Sequence, residues 1–171
     1  TLTALTTEFL DFSRPLYPEL VWSSWNDTVR RAVESVQPLA DSADICIDFV
    51  EAPNLSEVLL DRFQMERAIR NLLLNAIEAT LRCGRVEVRT DCTREGVAVE
   101  ISDFGRGVPP DQMARLFVPF FTTKLTGTGL GLPVARKIAQ NHGGDVAVRR
   151  NESSGMTFSI HLPASGEGLP E

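Results

Sequence analysis

Apolar residues recur at helical spacing in some stretches and alternate in others, and this divides the chain into elements. Leu2, Leu5, Phe9 and Phe12 are spaced three, four and three, the narrow seam of a short helix. A helix that short is marginal alone in water, so residues 1–13 read as the end of a longer helix whose partners are absent. Arg14-Pro15 stops it and Pro18 keeps the next residues extended, which places a linker at 14–19. Leu20 to Trp22 suits a short strand. Ser24, with Asp27 three residues on, resembles a capping box. Val29, Ala32, Val33, Val36 and Ala40 follow at helical spacing, with Pro38 limiting a regular helix to about residue 37. Ile45, Ile47 and Phe49 alternate with Cys46, Asp48 and Val50 as a strand does, Pro53-Asn54 turns the chain, and Glu57 to Leu60 suits a second short strand.

Asp61 to Arg82 is the longest helical stretch. Met65, Ile69, Leu72, Leu73, Ala76 and Ile77 form its apolar face, and Arg67, Asn71, Asn75, Glu78 and Arg82 form a polar stripe. Arg85 to Thr90 and Val97 to Ile101 alternate around a polar turn at 93–96, an antiparallel hairpin. Pro109-Pro110 precede a short helix at about 110–116. Leu116, Phe117, Phe120 and Phe121 are too apolar for a solvated loop and pin a mobile segment to the core, or belong to the core. A further helix spans about 130–142 until Gly143-Gly144 stops it. Val146 to Val148 and Thr157 to Leu162 read as two more strands, and 164–171 has the composition of a disordered tail. Helices interleaved with hairpins predict a mixed sheet with helices layered on one face, not a doubly wound parallel sheet.

At 171 residues the default is one domain with a core that needs no staples. A net charge of −6 without a basic run argues against nucleic-acid or anionic-membrane binding. Cys46, Cys83 and Cys92 are odd in number and lack a CxxC spacing, which predicts buried reduced thiols in a cytosolic protein. No apolar run is long enough to span a membrane, and the chain, lacking an initial Met, reads as a piece of something longer.

Three stretches carry candidate chemistry. Gly127-Thr128-Gly129-Leu130-Gly131-Leu132 opens a helix, where glycines allow close backbone approach and free N–H groups meet the positive dipole end. This is either a phosphate site or a flexible loop ahead of a helix. Asn71 and Asn75, four residues apart, put two amide oxygens on one hard cation, or they are solvated surface residues. Asp103 ends a strand before two spaced glycines, at the floor of a cleft or in an ordinary turn.

The ordered set Asn71-Leu72-Leu73-Leu74-Asn75-Ala76, Asp103-Phe104-Gly105-Arg106-Gly107, Phe117 to Lys124 and Gly127 to Leu132 resembles the N, G1, F and G2 boxes of sensor histidine kinases. These belong to the gyrase, heat-shock-chaperone, histidine-kinase and mismatch-repair ATPase superfamily. The resemblance covers roughly 20–163, includes Asn141-His142-Gly143-Gly144, and implies a two-layer α/β sandwich. A mixed, mostly antiparallel sheet of about five strands would be backed by three helices. Leu10 to Pro15 looks like the end of the second dimerisation helix in kinases similar to the nitrogen-regulatory group.

The resemblance implies ATP and Mg²⁺ as cofactors. Asp103 would accept from the adenine amine, with Gly105 and Gly107 close to base and ribose. Asn75, with Asn71, would hold Mg²⁺. Backbone groups of Gly127, Thr128, Gly129, Leu130 and Gly131 would cradle phosphates. Lys124 would neutralise γ-phosphate charge, Thr123 and Thr128 would add hydroxyls, Thr157 would lie near the adenine, and Phe117 and Phe120 would anchor a short lid. Asn71 stands where hydrolytic members have a water-activating Glu, and an amide takes no proton from water at neutral pH. Asn71 and Lys124 therefore carry the catalytic expectation, which is transfer to a histidine with little hydrolysis. Glu78 and Ala79 offer no cationic or aromatic contact, so nucleotide affinity would be modest. The acceptor histidine is absent; His142 and His161 are expected to be structural or surface residues. The partners implied are the protein's own dimerisation domain and a response regulator. The full-length protein would be a homodimer, either membrane-anchored or soluble, with this domain in the cytoplasm, and this stretch alone a candidate monomer. The alternatives are a degenerate nucleotide-sensing or interaction module and an anti-sigma-type serine kinase.

Overall fold

The computed structural model describes residues 17–122 and 127–164. The helix expected at 1–13, the first half of the 14–19 linker and nearly all of the 164–171 tail lie outside these residues, as do Thr123 and Lys124.

Helix α1 (Trp25–Ser42) starts where Ser24 accepts a hydrogen bond from the Asp27 N–H at 3.2 Å. It runs through Pro38 to Ser42, past the stop expected at residue 37. Pro38 and Glu34, whose carbonyl loses its intrahelical donor, both sit on the exposed face, where that carbonyl is open to solvent. Ala40 meanwhile continues the buried stripe of Val29, Ala32, Val33 and Val36. Trp25 is fully buried, and its indole N–H donates to the Ala98 carbonyl at 2.9 Å, fastening α1 to the sheet.

Strand β1 (Val21–Ser23) pairs antiparallel with β3 (Val58–Leu60) as a separate two-stranded ribbon, which the periodicity alone does not foretell. The main sheet contains β2 (Cys46–Val50), β4 (Arg85–Thr93), β5 (Gly96–Asp103), β6 (Asp145–Arg150) and β7 (Met156–Pro163) in the order β2-β4-β5-β7-β6. Among the described residues only the β2–β4 pairing is parallel. Helices α1, α2 (Arg62–Ala79) and α3 (Gly131–Asn141) cover it, with α2 packed between the other two. The expected two-layer α/β sandwich with a five-stranded mixed sheet is what the chain forms.

Register explains the core. Val88, Ile101, Phe158 and Val148 stand opposite one another across four strands, and Thr90, Val99, Ile160 and Val146 make the next row. Directly paired residues share a face, so these rows line the helix side of the sheet. The row beyond Ile101 pairs Val86 with Asp103, which puts a carboxylate on the core face at 1% exposure.

Helix α2 begins at Asp61, whose side chain accepts from the Gln64 N–H, and ends at Ala79 instead of Arg82. Thr80 is extended and Cys83 has φ 59°, so Arg82 leaves the stripe and pairs with Asp44 at 2.6 Å. The three cysteines are exposed, against expectation. Cys46 lies on edge strand β2 in the phase opposite Ile47 and Phe49, Cys83 lies in the turn after α2, and Cys92 lies near the β4–β5 hairpin tip.

His142 ends α3 and is structural, as expected. Its Nδ1 meets the Ile138 carbonyl at 2.7 Å and its Nε2 accepts from the Asp61 N–H at 3.0 Å, so α3 holds the start of α2. Burial holds its pKa below the usual imidazole value, outweighing the opposite pull of the Ile138 carbonyl and Asp61. Below about pH 6.5 the unfolded chain takes a proton that the folded chain resists. Stability from this residue is therefore complete above that pH and is lost as pH falls toward the folded pKa. Urea midpoints measured at pH 8 and pH 5.5 are expected to fall less in His142→Gln than in the native chain.

Candidate functional site

The polar stripe of α2 and the first turn of α3 face each other across a cleft of about 250 Å³, which Asn71, Asn75, Glu78, Thr128, Gly129 and Gly131 help to line. Asn71 spans it, its amide nitrogen donating to the Gly131 carbonyl at 3.1 Å. That bond fixes the amide orientation and leaves the carbonyl oxygen as the atom able to meet a cation. Among the described residues no cluster of three or more His, Cys, Asp or Glu could hold a metal. Any cation here would rely on amide oxygens, ligand phosphates and water, the habit of Mg²⁺.

Helix α3 starts after Leu130 without a side-chain cap; the Leu130 N–H donates to the Thr128 hydroxyl at 3.4 Å and Pro133 has no N–H, so Gly131 and Leu132 carry the helix-start N–H groups beside the cleft. A Cβ on Gly131 would meet nothing within 4 Å, which makes that glycine the open side of a cradle. Leu130 is itself fully buried, so only its backbone can take part. Gly129 has φ 72°, and a Cβ there would come within 2.5 Å of the Phe120 backbone. The Phe120 N–H donates to the Gly129 carbonyl at 3.0 Å, cinching the loop between them at its base.

The aromatic anchors differ from expectation in one place. Phe117 packs on the core with the Arg136 guanidinium 4.9 Å from its ring centre, and Arg136 also grips Asp145. Phe120, expected to anchor the lid, is 54% exposed at φ 66°. The positive φ that joins it to Gly129 turns its ring outward. Phe121 takes the anchoring position instead, lining the cleft under Arg115.

Asp103, Gly105 and Gly107 form a second group at the far end of α2. The Asp103 Oδ1 accepts from the Gly105 N–H at 3.0 Å. A Cβ on Gly105 would sit 2.0 Å from the Ala79 carbonyl, so this glycine lets the strand end press against the end of α2. Gly107 has φ 71°. Thr157 is not brought to the Asp103 carboxylate. It pairs with Ser102 on the opposite face of the sheet, and their hydroxyls meet at 2.7 Å. The residue next to Asp103 on the core face is Met156, buried at 2%. Strand periodicity places 156, not 157, in phase with Phe158, which is the signal that could have found it. Gly155 was also missed: a Cβ there would sit 2.1 Å from the Asp103 carbonyl oxygen.

The family model described as histidine kinase-, DNA gyrase B- and HSP90-like ATPase matches residues 60–166. Sensor histidine kinase ZraS of Escherichia coli K12 is 33% identical over 96% of this chain. The match takes in 35% of ZraS, so the chain spans about a third of the length of the curated relatives it matches. The catalytic domain of histidine kinase ThkA superposes with a TM-score of 0.77 at 31% identity, covering 86% of this chain and 97% of that one. Full-length ShkA in complex with AMPPNP superposes with a TM-score of 0.86 at 26% identity, covering 99% of this chain and 37% of that one. With the two-layer fold and the glycine-opened cleft, these likenesses establish that the chain belongs to the histidine kinase-, DNA gyrase B- and HSP90-like ATPase family and has the fold of a histidine kinase catalytic domain.

Proposed function

We propose that this chain is the ATP-binding catalytic domain of a two-component sensor histidine kinase. It would transfer the γ-phosphoryl group of ATP to a histidine on a dimerisation domain. The observation that carries this reading is the pair of α2 amides facing the uncapped start of α3, with an amide rather than a carboxylate at residue 71. Asn75 and Asn71 would hold Mg²⁺, which when bound neutralises phosphate charge. The α3 N–H groups and the Gly127–Gly131 backbone would cradle the phosphates, with Thr128 adding its hydroxyl. Thr123 and Lys124, outside the described residues, would reach the γ-phosphate. Asp103 would accept from the adenine amine, with Gly105 and Gly107 giving the backbone room. An imidazole nitrogen of the acceptor attacks phosphorus, the bond to the β-phosphate oxygen breaks, and ADP leaves. Residue 71 supplies no base for water, so transfer outruns hydrolysis.

Partners under this reading are the protein's own dimerisation domain, which makes the full protein a homodimer, and a response regulator. The structure of ThkA with response regulator TrrA supports the second. The domain would work in the cytoplasm; among the described residues no helix is long and apolar enough to cross a membrane. Similarity to the nitrogen-regulatory group rests on Leu10 to Pro15.

Calorimetric titration tests the binding half. Mg-ATP is expected to bind with micromolar-range affinity that weakens when Mg²⁺ is chelated, and no binding would contradict the reading. Gly131→Ala separates site from scaffold. Its methyl meets no protein atom and favours helix, so stability is expected to rise by up to about 1 kcal/mol. The same methyl stands in the cradle, so Mg-ATP affinity is expected to fall about tenfold, roughly 1.4 kcal/mol.

A further inference from the structure

The β5–β7 ladder ends at the pair Ser102 and Thr157, one residue short of Asp103. The Asp103 carbonyl therefore extends past its last strand partner on that side. Asn151, at the start of the β6–β7 turn, takes the partner's place: its Nδ2 donates to the Asp103 carbonyl at 2.8 Å. Its Oδ1 accepts from the Thr157 hydroxyl at 2.6 Å, and its own N–H donates to the Gly155 carbonyl at 3.1 Å. A carbonyl can only accept, so Nδ2 faces Asp103 and Oδ1 faces Thr157. Thr157 spends its single proton on Asn151 and accepts from Ser102. The chain Ser102 to Thr157 to Asn151 to Asp103 thus runs in one direction. From the same turn Ser154 donates to the Phe104 carbonyl at 3.1 Å. Gly155 lies so close to Asp103 that no Cβ fits between them.

We infer that Asn151 is a positioning residue for base recognition: it fixes the Asp103 backbone at the strand end and thereby aims the carboxylate at the base. The inference rests on the reading of Asp103 as the adenine acceptor. Asn151 touches no part of the cleft at Asn71 and Asn75, so its effect should fall on the base and spare the triphosphate.

The test compares ATP with inosine triphosphate, which has an oxo group in place of the 6-amino group and a proton on N1, by calorimetry on the whole chain. Because both carry the same triphosphate, their affinity ratio cancels effects on charge. The native chain is expected to prefer ATP at least tenfold. Asn151→Ala is expected to lower that ratio several-fold through weaker ATP binding, with inosine triphosphate affinity unchanged. Asn151→Asp keeps an acceptor for Thr157 but loses the donor to Asp103, so it should behave like the alanine variant. Ser154→Ala, at an exposed position that the fold tolerates, should lower the ratio less and in the same direction. An unchanged ratio in the three variants, or equal loss for both nucleotides, would overturn the inference alone. Absence of an ATP preference in the native chain would overturn the reading of Asp103 and the inference with it.

Discussion

Asp103→Asn is expected to fold normally and to bind ATP at least ~100-fold more weakly than the native chain, about 2.7 kcal/mol. The amide oxygen of Asn can still accept from the Gly105 N–H, so the local turn has what it needs. The other carboxylate oxygen becomes an NH₂ group, which donates where the adenine amine also donates. A 6-oxo base would lose less than adenine, since its oxygen can accept from the new amide. Circular dichroism and calorimetry with ATP and inosine triphosphate together check the three parts of this expectation.

Gly155→Ala is expected to damage fold and site together. The added Cβ would lie 2.1 Å from the Asp103 carbonyl oxygen and 2.8 Å from its Oδ1, and φ at this residue is 82°. The two nearest atoms in that contact are backbone, which cannot swing aside, so β5 and the β6–β7 turn must separate. Strain at positive φ plus the displaced Asn151 bond should cost about 3 kcal/mol or more. For a domain of this size that lowers the melting midpoint by roughly 6–12 °C. Scanning calorimetry checks the midpoint. A titration below the transition is expected to show ATP affinity reduced as in Asp103→Asn, because the carboxylate moves with its backbone.

The cleft between α2 and α3 was legible from the sequence because it depends on local chemistry. Asn71 and Asn75 share a face by helical spacing, and Gly127 to Gly131 precede an apolar-periodic run that starts α3 where expected. The group around Asp103 depends on how strands align, and spacing alone carries less of that. Thr157 was expected on the same side as Asp103, but one step along a strand reverses the face, and the register puts Met156 next to Asp103 on the core face. Gly155 and Asn151 act through a backbone carbonyl some fifty residues earlier, a contact that no local pattern encodes. Elements were found to within a few residues, and the misses have physical causes. The carbonyl freed by Pro38 lies on the exposed face, the extended Thr80 ends α2 before Arg82, and the cysteines occupy an outward strand phase, a turn and a hairpin tip rather than the core.

The central claim is that this cleft holds ATP for transfer to a histidine. Its most direct test mixes the chain with γ-labelled ATP, Mg²⁺ and the proposed acceptor-histidine helix pair, supplied as a separate chain. The expected result is acid-labile, base-stable label on the acceptor histidine, none on this chain, and free phosphate released far more slowly than label is transferred. Label that stays in ATP, or appears as free phosphate without ever reaching the histidine, would contradict the account.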